Sequence, residues 1–249
     1  MVTAPTIVLV HGAGHTAPAW DRTRTHLRCA SIAVDLPGRR NRPAHIAGVT
    51  IDAAADSICA DVDAVISGEV VLVGHSAGGI LLPAVAARLG ARVQHLVFVA
   101  GLCARHGERV IDTVRPDHAA EVAVRADDLA RRYHGHMLAP DDHESWIAID
   151  QKVAASVDSL TFLLQVVSWD GVSPALPRTF VRPLRDRIQP REMQARLIEN
   201  CAASQVIDID TGHTPALAAP ERLAAILDEI AETSAGVVGR RYDSSAGTS

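Results

Sequence analysis

Short β-branched runs alternate with longer segments of helical periodicity along most of the chain. Several runs are apolar at consecutive positions, which is typical of parallel strands that are buried on both faces. The helical segments between them carry apolar stripes, one beginning at Ile51 and another after Pro220. The predicted strands are residues 7–10, 31–34, 70–73, 93–99, 179–181 and 205–209. This alternation predicts an α/β fold in which helices cover both faces of a mostly parallel sheet.

The alternation stops between residues 103 and 176, where no clear buried strand is found. Half of the chain's Trp, Tyr and Phe residues lie in this stretch: Tyr133, Trp146, Phe162 and Trp169. We predict an insertion that caps the carboxyl edge of the sheet, between two core segments at residues 1–102 and 177–234. The last residues, 235–249, are rich in Ser, Gly and Ala, which predicts a flexible C-terminal tail.

The composition narrows the class of protein. Of the 249 residues, 48% are hydrophobic and 21% are charged, which excludes a disordered chain. The net charge of −5 and the lack of a basic stripe argue against a nucleic-acid partner. No apolar run approaches the roughly 20 residues of a membrane-spanning helix, so we expect no membrane contact. The widely spaced cysteines and the absence of a charged leader favour a cytoplasmic protein with reduced thiols.

The most specific motif is Gly74-His75-Ser76-Ala77-Gly78, which lies directly after a predicted strand and before an apolar helix. A sharp turn between strand and helix would strain the backbone of Ser76 and raise its hydroxyl above the sheet edge. Gly74 and Gly78 have no Cβ, so the strand and the helix can approach closely. This context predicts a nucleophilic Ser76. An ordinary glycine-rich turn is the alternative.

A second glycine-rich loop follows the first predicted strand at residues 11–14 and should lie at the same edge. It predicts an oxyanion hole formed by the N–H groups of Ala13 and Ala77, each worth about 3 kcal/mol in the transition state. Gly12 and His15 are expected to line the substrate pocket. The alternative is a tight turn that uses glycine for its geometry alone.

A nucleophilic serine needs a base that takes its proton and an acid that orients the base. His213 lies on the loop after the last predicted strand, at the edge where Ser76 is expected. Asp186 lies just beyond the preceding strand, so we predict that it orients His213. Asp186 could instead form a surface ion pair with Arg185 or Arg187. The alternative acids are Asp112, Asp170, Asp208 and Asp210.

The remaining histidines are expected to play no chemical role. His75 should point away from the site if Ser76 points towards it. His134, His136 and His143 are close in sequence, but their spacing is not a zinc pattern. The predicted chemistry requires neither a metal nor a cofactor, and we expect none.

Five segments in the two halves of the predicted core share a pattern with a known family. They are VLVHGAGHTAPAW (8–20), VDLPGR (34–39), VLVGHSAGG (71–79), RDRIQP (185–190) and DTGHTPALAAPERLA (210–224). The chain thereby resembles the α/β-hydrolases of the plant methyl esterase and hydroxynitrile lyase group and their bacterial esterase relatives. The resemblance implies an α/β-hydrolase fold, a triad of Ser76, Asp186 and His213, and oxyanion donors at Ala13 and Ala77.

Two positions depart from the lyase branch of that group. The lyases have a threonine after the histidine of the first motif and a lysine after the catalytic histidine. The chain has Gly12 and Thr214 there. The missing lysine would be the cation that stabilises departing cyanide, so the departure favours an esterase.

The motifs together predict a serine hydrolase that cleaves a carboxylic ester or thioester of a mostly hydrophobic small molecule. Trp146, Phe162 and Trp169 in the insertion are candidate substrate-binding residues, although they could equally pack the insertion's own core. A lyase, cyclase or acyltransferase with the same triad is an alternative, and so is a non-catalytic small-molecule binder. A homodimer is also left open.

Overall fold

The computed structural model of the protein describes residues 4–39, 42, 44, 49–114 and 164–243, and of residues 114 and 236–243 it describes the backbone alone. Most of the predicted insertion lies outside these residues. Its division from the core and its role as a cap therefore stay predictions.

The six predicted strands form one sheet in which every neighbouring pair is parallel. Their order across the sheet is β2-β1-β3-β4-β5-β6. The strands are β1 (Thr6–Val10), β2 (Ser31–Val34), β3 (Val70–His75), β4 (Val93–Val99), β5 (Arg178–Pro183) and β6 (Gln205–Ile209). The prediction of an α/β fold with a parallel sheet is confirmed.

The helices lie between the strands, as the alternation predicts. They are α1 (Asp21–Arg24), α2 (Ile51–Val65), α3 (Leu82–Leu89), α4 (Val110–Val114), α5 (Arg191–Asn200), α6 (Pro215–Ala218) and α7 (Pro220–Asp243). Pro83 lies in the first turn of α3, where a helix does not use the N–H that proline lacks. Within the described part of the chain, no helix is both long and apolar enough to cross a membrane.

The core consists of two apolar layers, one on each face of the sheet. Alternate residues of a strand point to opposite faces, so β3 contributes Val70 and Leu72 to one layer and Val71 and Val73 to the other. The first layer is closed by α2 and α3, and the second is closed by α7. Burial on both faces explains why the central strands are apolar at consecutive positions.

The last helix differs from the prediction. We expected a flexible tail from residue 235, but α7 continues to Asp243, so the backbone of residues 235–243 is helical. Leu223, Leu227 and Ala231 anchor this helix in the core. Once a helix is anchored, each further residue adds one hydrogen bond for one residue ordered, so a Ser-, Gly- and Ala-rich sequence does not stop it.

Candidate active site

The carboxyl ends of the parallel strands bring four loops to one edge of the sheet. Val10 pairs with Gly74 in β3, and Gly74 pairs with Phe98 in β4. The loops after β1, β3, β5 and β6 therefore emerge side by side. These loops carry all of the predicted catalytic and oxyanion residues.

Ser76 occupies a strained turn between β3 and the 3-10 helix Ser76–Leu81. Its φ is +49°, a left-handed conformation that residues other than glycine rarely adopt. The two glycines of the motif are required by close contacts. A Cβ on Gly74 would lie 2.8 Å from the backbone of Gly78, and one on Gly78 would lie 2.7 Å from the oxygen of His11. The sharp turn predicted from the motif is therefore present.

His213 lies between Ser76 and Asp186 and is hydrogen-bonded to both. Its Nε2 is 3.0 Å from the Oγ of Ser76, and its Nδ1 is 2.7 Å from Oδ2 of Asp186. An ionised carboxylate can only accept, so Nδ1 carries the proton and Nε2 accepts the hydrogen bond of the Ser76 hydroxyl. The imidazole is 12% exposed, while the side chain of Asp186 is fully buried.

Asp186 is held in its charged form. Burial would raise its pKa, but hydrogen bonds from His213 and from the N–H groups of Gln189 and Ile188 outweigh burial and hold the pKa below its usual value. The rival acids have other partners. Asp112 pairs with Arg109, Asp170 meets Ser168, Asp208 pairs with Arg182 and Asp210 pairs with Arg185.

The glycine-rich loop after β1 lies against Ser76, as expected. A Cβ on Gly12 would be 3.0 Å from the Cβ of Ser76. His11 anchors this loop, because its Nδ1 lies 2.9 Å from the oxygen of Gly12 and its Nε2 accepts from the N–H of Leu36. Burial lowers the pKa of His11 to about 3, so the ring is neutral. A neutral imidazole can donate from Nδ1 to the oxygen of Gly12 and accept at Nε2 from the N–H of Leu36.

The two predicted oxyanion donors flank Ser76. The N–H of Ala77 is in the first turn of the 3-10 helix, where no carbonyl of the same helix can accept it. The N–H of Ala13 makes no hydrogen bond to any residue that the structure describes. Both groups are thus available to an incoming oxygen, and their role as an oxyanion hole stays a prediction.

The predicted substrate-binding residues divide into three groups. Gly12 and His15 lie at the site, with the His15 ring centroid 5.7 Å from that of His75. Trp169 donates its indole N–H to the oxygen of Ala104 and covers the guanidinium of Arg178 at the start of β5. These contacts are packing contacts, and the role of Trp169 in substrate binding stays a prediction. Trp146 and Phe162 lie outside the described residues.

Metal coordination is not indicated by the part of the chain that the structure describes, where no three His, Cys, Asp or Glu side chains are grouped to hold an ion. His134, His136 and His143 lie outside that part. The expectation that the protein uses no metal or cofactor stays a prediction.

His75 has a contact that the sequence analysis did not foresee. We expected it to point away from the site, but its Nε2 lies 2.9 Å from the backbone oxygen of His213. The two imidazole centroids are 5.1 Å apart. The only signal in the sequence was the presence of an imidazole directly before Ser76.

Comparisons with known proteins show esterases among the relatives of the chain. Among curated proteins, the carbendazim hydrolyzing esterase of Nocardioides sp. (strain SG-4G) is 25% identical over 239 residues, which cover 87% of this chain and 96% of that protein. Methylesterase 17 of Arabidopsis thaliana is 23% identical over 180 residues, covering 64% of this chain and 65% of that protein. The resemblance to plant methyl esterases and bacterial esterases is confirmed, and these relatives support ester hydrolysis in general.

A solved structure shows the same fold. An extracellular alpha/beta-hydrolase from a Paenibacillus species superposes with a TM-score of 0.73 at 18% identity, covering 91% of this chain and 99% of that one. The model of the alpha/beta hydrolase family matches residues 7–226. The chain therefore belongs to the alpha/beta hydrolase family.

Proposed function

We propose that the protein is a serine hydrolase that cleaves a carboxylic ester or thioester of a mostly hydrophobic small molecule through an acyl-enzyme intermediate. The observation that carries the proposal is the continuous hydrogen-bonded series from Ser76 through His213 to Asp186. The strained backbone at Ser76 and the esterase relatives support it.

The first half of the reaction forms the acyl-enzyme. Ser76 Oγ attacks the acyl carbon while His213 Nε2 takes the hydroxyl proton. Asp186 keeps the proton on Nδ1 and stabilises the imidazolium that forms. The N–H groups of Ala13 and Ala77 receive the oxyanion. His213 then gives its proton to the leaving alcohol or thiol, whose bond to the acyl carbon breaks.

The second half releases the acid. His213 Nε2 removes a proton from water, and the resulting hydroxide attacks the acyl carbon. The bond to Ser76 Oγ breaks, and His213 returns the proton to that oxygen. No redox change occurs, and water is the only co-reactant. A cytoplasmic location, a small-molecule ester as the substrate, and the absence of nucleic-acid or membrane contacts are part of the same proposal, which leaves a homodimer open.

The test is covalent labelling with a fluorophosphonate probe, read by intact mass. We expect one adduct on Ser76 in the wild type and none in Ser76→Ala, with ester turnover lowered by about 10⁴-fold or more. Ser234→Ala is the matched control, because Ser234 also lies beside a buried histidine, His95. We expect it to be labelled and to turn over esters as the wild type does.

A panel of acyl esters of graded size defines the reaction. Hydrolysis of apolar acyl groups, lost in Ser76→Ala, supports the proposal. Turnover retained in Ser76→Ala contradicts it. Labelling of Ser76 without hydrolysis of any ester would favour a lyase, cyclase or acyltransferase instead. Ligand binding without turnover or labelling would favour a binding protein.

A further inference from the structure

His75, the residue before Ser76, is buried beside the imidazole of His213. The residue is only 4% exposed. Its ring has the His213 ring 5.1 Å away, the His15 ring 5.7 Å away, and the edge of Trp20 6.3 Å away in a T-shaped arrangement. Rings on three sides leave the imidazole of His75 a single orientation.

That orientation places one nitrogen on the loop of the predicted base. The Nε2 of His75 is 2.9 Å from the backbone oxygen of His213. A carbonyl oxygen only accepts, so Nε2 must carry the proton and donate it. Burial, and then the neighbouring His213, lower the pKa of His75 to about 3. The ring is therefore neutral at neutral pH, and its one proton is on Nε2.

The other nitrogen, Nδ1, faces the loop after β1, which carries the predicted oxyanion donor Ala13. A Cβ on Gly12 would lie 2.9 Å from Nδ1 of His75 and 3.0 Å from the Cβ of Ser76. The loop after β1 and the loop after β6 therefore rest on opposite sides of one ring. That ring belongs to the residue directly before Ser76.

The loop after β6 is held up to Thr211 by the N–H of Arg185, which donates to the oxygen of Thr211. His213 follows Gly212, at which an added Cβ would meet nothing within 4 Å. The imidazole of His213 is held by Asp186 and its main chain by His75. These two hydrogen bonds hold the imidazole and the backbone of His213, whose side chain must reach Ser76.

We propose that His75 is a positioning residue that fixes the backbone of His213 against the Gly12 loop, so that base, nucleophile and oxyanion donors keep their relative places. This inference rests on the proposed function. A misplacement of about 1 Å in such a site lowers a rate by about 10²-fold, because the reacting atoms leave the geometry of attack.

Two substitutions separate the hydrogen bond from the shape of the ring. His75→Phe keeps a flat ring and removes the donor. His75→Gln keeps an N–H at about the reach of Nε2. For His75→Phe we expect kcat and the rate of fluorophosphonate labelling to fall together by about 10- to 100-fold, with KM changed by less than about 3-fold. His75→Gln should recover most of both rates.

The matched control is His95→Phe. His95 is also a buried strand histidine, with Nε2 2.8 Å from the Oγ1 of Thr179, but it does not touch His213. A merely structural loss would slow both phenylalanine variants. We expect His95→Phe to keep kcat within about 2-fold of the wild type.

A readout independent of turnover is the proton resonance of the His213 Nδ1–H that Asp186 accepts. We expect this proton to exchange faster with solvent in His75→Phe and at the wild-type rate in His75→Gln and His95→Phe. Unchanged kcat and exchange in a folded His75→Phe would overturn the inference. If His75→Phe does not fold, His75→Gln and His75→Asn decide, because only the longer amide reaches the carbonyl. Equal rates and equal exchange in those two variants would overturn it.

This test does not depend on the identity of the reaction. If Ser76→Ala keeps its turnover, the proposed function fails, while proton exchange still reports whether His75 holds His213. If Ser76→Ala loses turnover and His75→Phe changes nothing, only the inference about His75 fails.

Discussion

Two serine–histidine pairs lie beside the same sheet, one at its carboxyl edge and one towards its amino edge. At the carboxyl edge, Ser76 donates to His213, which donates to Asp186. Towards the amino edge, Ser234 lies 3.4 Å from Nδ1 of His95. His95 and Ser234 line a cleft of about 660 Å³. Proximity of a serine hydroxyl to an imidazole is thus common to the two regions.

The chemistry of the two pairs differs because of what surrounds them. The Ser234 hydroxyl already donates to the oxygen of Ile230 within α7, so its proton is engaged. The second partner of the imidazole also differs. His95 is hydrogen-bonded to the hydroxyl of Thr179, whereas His213 is hydrogen-bonded to the carboxylate of Asp186. Ser76, in contrast, lies on a strained turn, and its hydroxyl donates to the imidazole of His213. A nucleophilic serine therefore requires the turn and the carboxylate as well as the imidazole.

The largest expected effect comes from removing the carboxylate that distinguishes the two pairs. Asp186→Asn should lower kcat by about 10⁴-fold, since an amide that donates to Nδ1 would favour the wrong tautomer of His213. Asp208→Asn is the control: Asp208 is exposed and pairs with Arg182, so kcat should stay within about 2-fold. Steady-state kinetics on the best ester of the panel, with circular dichroism for folding, measures both. Near-normal turnover in Asp186→Asn would move the acid role to another carboxylate.

A smaller effect is expected from crowding the carboxyl edge. Gly12→Ala places a Cβ 2.9 Å from His75 Nδ1 and 3.0 Å from the Cβ of Ser76, so the loop must shift. We expect kcat to fall by about 10- to 100-fold. An added Cβ on Gly68, at the amino end of β3, would meet nothing within 4 Å, so Gly68→Ala should leave kcat unchanged. Equal kinetics for the two alanine variants would show that the Gly12 loop does not constrain the site.

The smallest expected effect is on the free energy of unfolding, through His95 towards the amino edge of the sheet. Burial lowers the pKa of His95 to about 4, so between the unfolded value near 6.5 and about 4 the unfolded chain binds more protons than the folded one. The free energy of unfolding therefore falls as the pH is lowered through this window, by up to about 1.4 kcal/mol per pH unit for this residue. His95→Gln should remove that share of the slope.

Urea denaturation of the wild type and His95→Gln at pH about 7 and about 4.5 measures the difference. His11 and His75, whose pKa values burial lowers to about 3, add similar slopes that both proteins keep. Parallel curves for the two proteins would show that His95 is not buried as a neutral ring. Activity at neutral pH should be the same in both.

Residues could be placed from the sequence where a motif joins directly to a strand. Ser76, His213 and Asp186 each follow a run of apolar residues, and parallel strands end at a common edge, so their convergence could be predicted. Contacts between side chains from remote parts of the chain could not be predicted. The indole N–H of Trp169 donates to the oxygen of Ala104, and its ring covers the guanidinium of Arg178, which no local pattern specifies.

The choice of acid shows where sequence reasoning ends. Asp186, Asp208 and Asp210 are all close in sequence to the carboxyl end of β5 or β6. Asp208 forms an ion pair with Arg182 of the neighbouring strand, and Asp210 forms an ion pair with Arg185. These pairings depend on the register between β5 and β6, which no local pattern specifies.

By itself, the sequence determined the alternation of strands and helices and the loops that carry a serine, an aspartate and a histidine. Both follow from local periodicity and from the rule that parallel strands share one direction. Only the tertiary structure decided that His75 donates to the backbone oxygen of His213, that Ser234 donates within a helix, and that Asp186 is the carboxylate beside His213. These outcomes depend on contacts between residues more than a hundred positions apart or on the orientation of single side chains, and local sequence encodes neither.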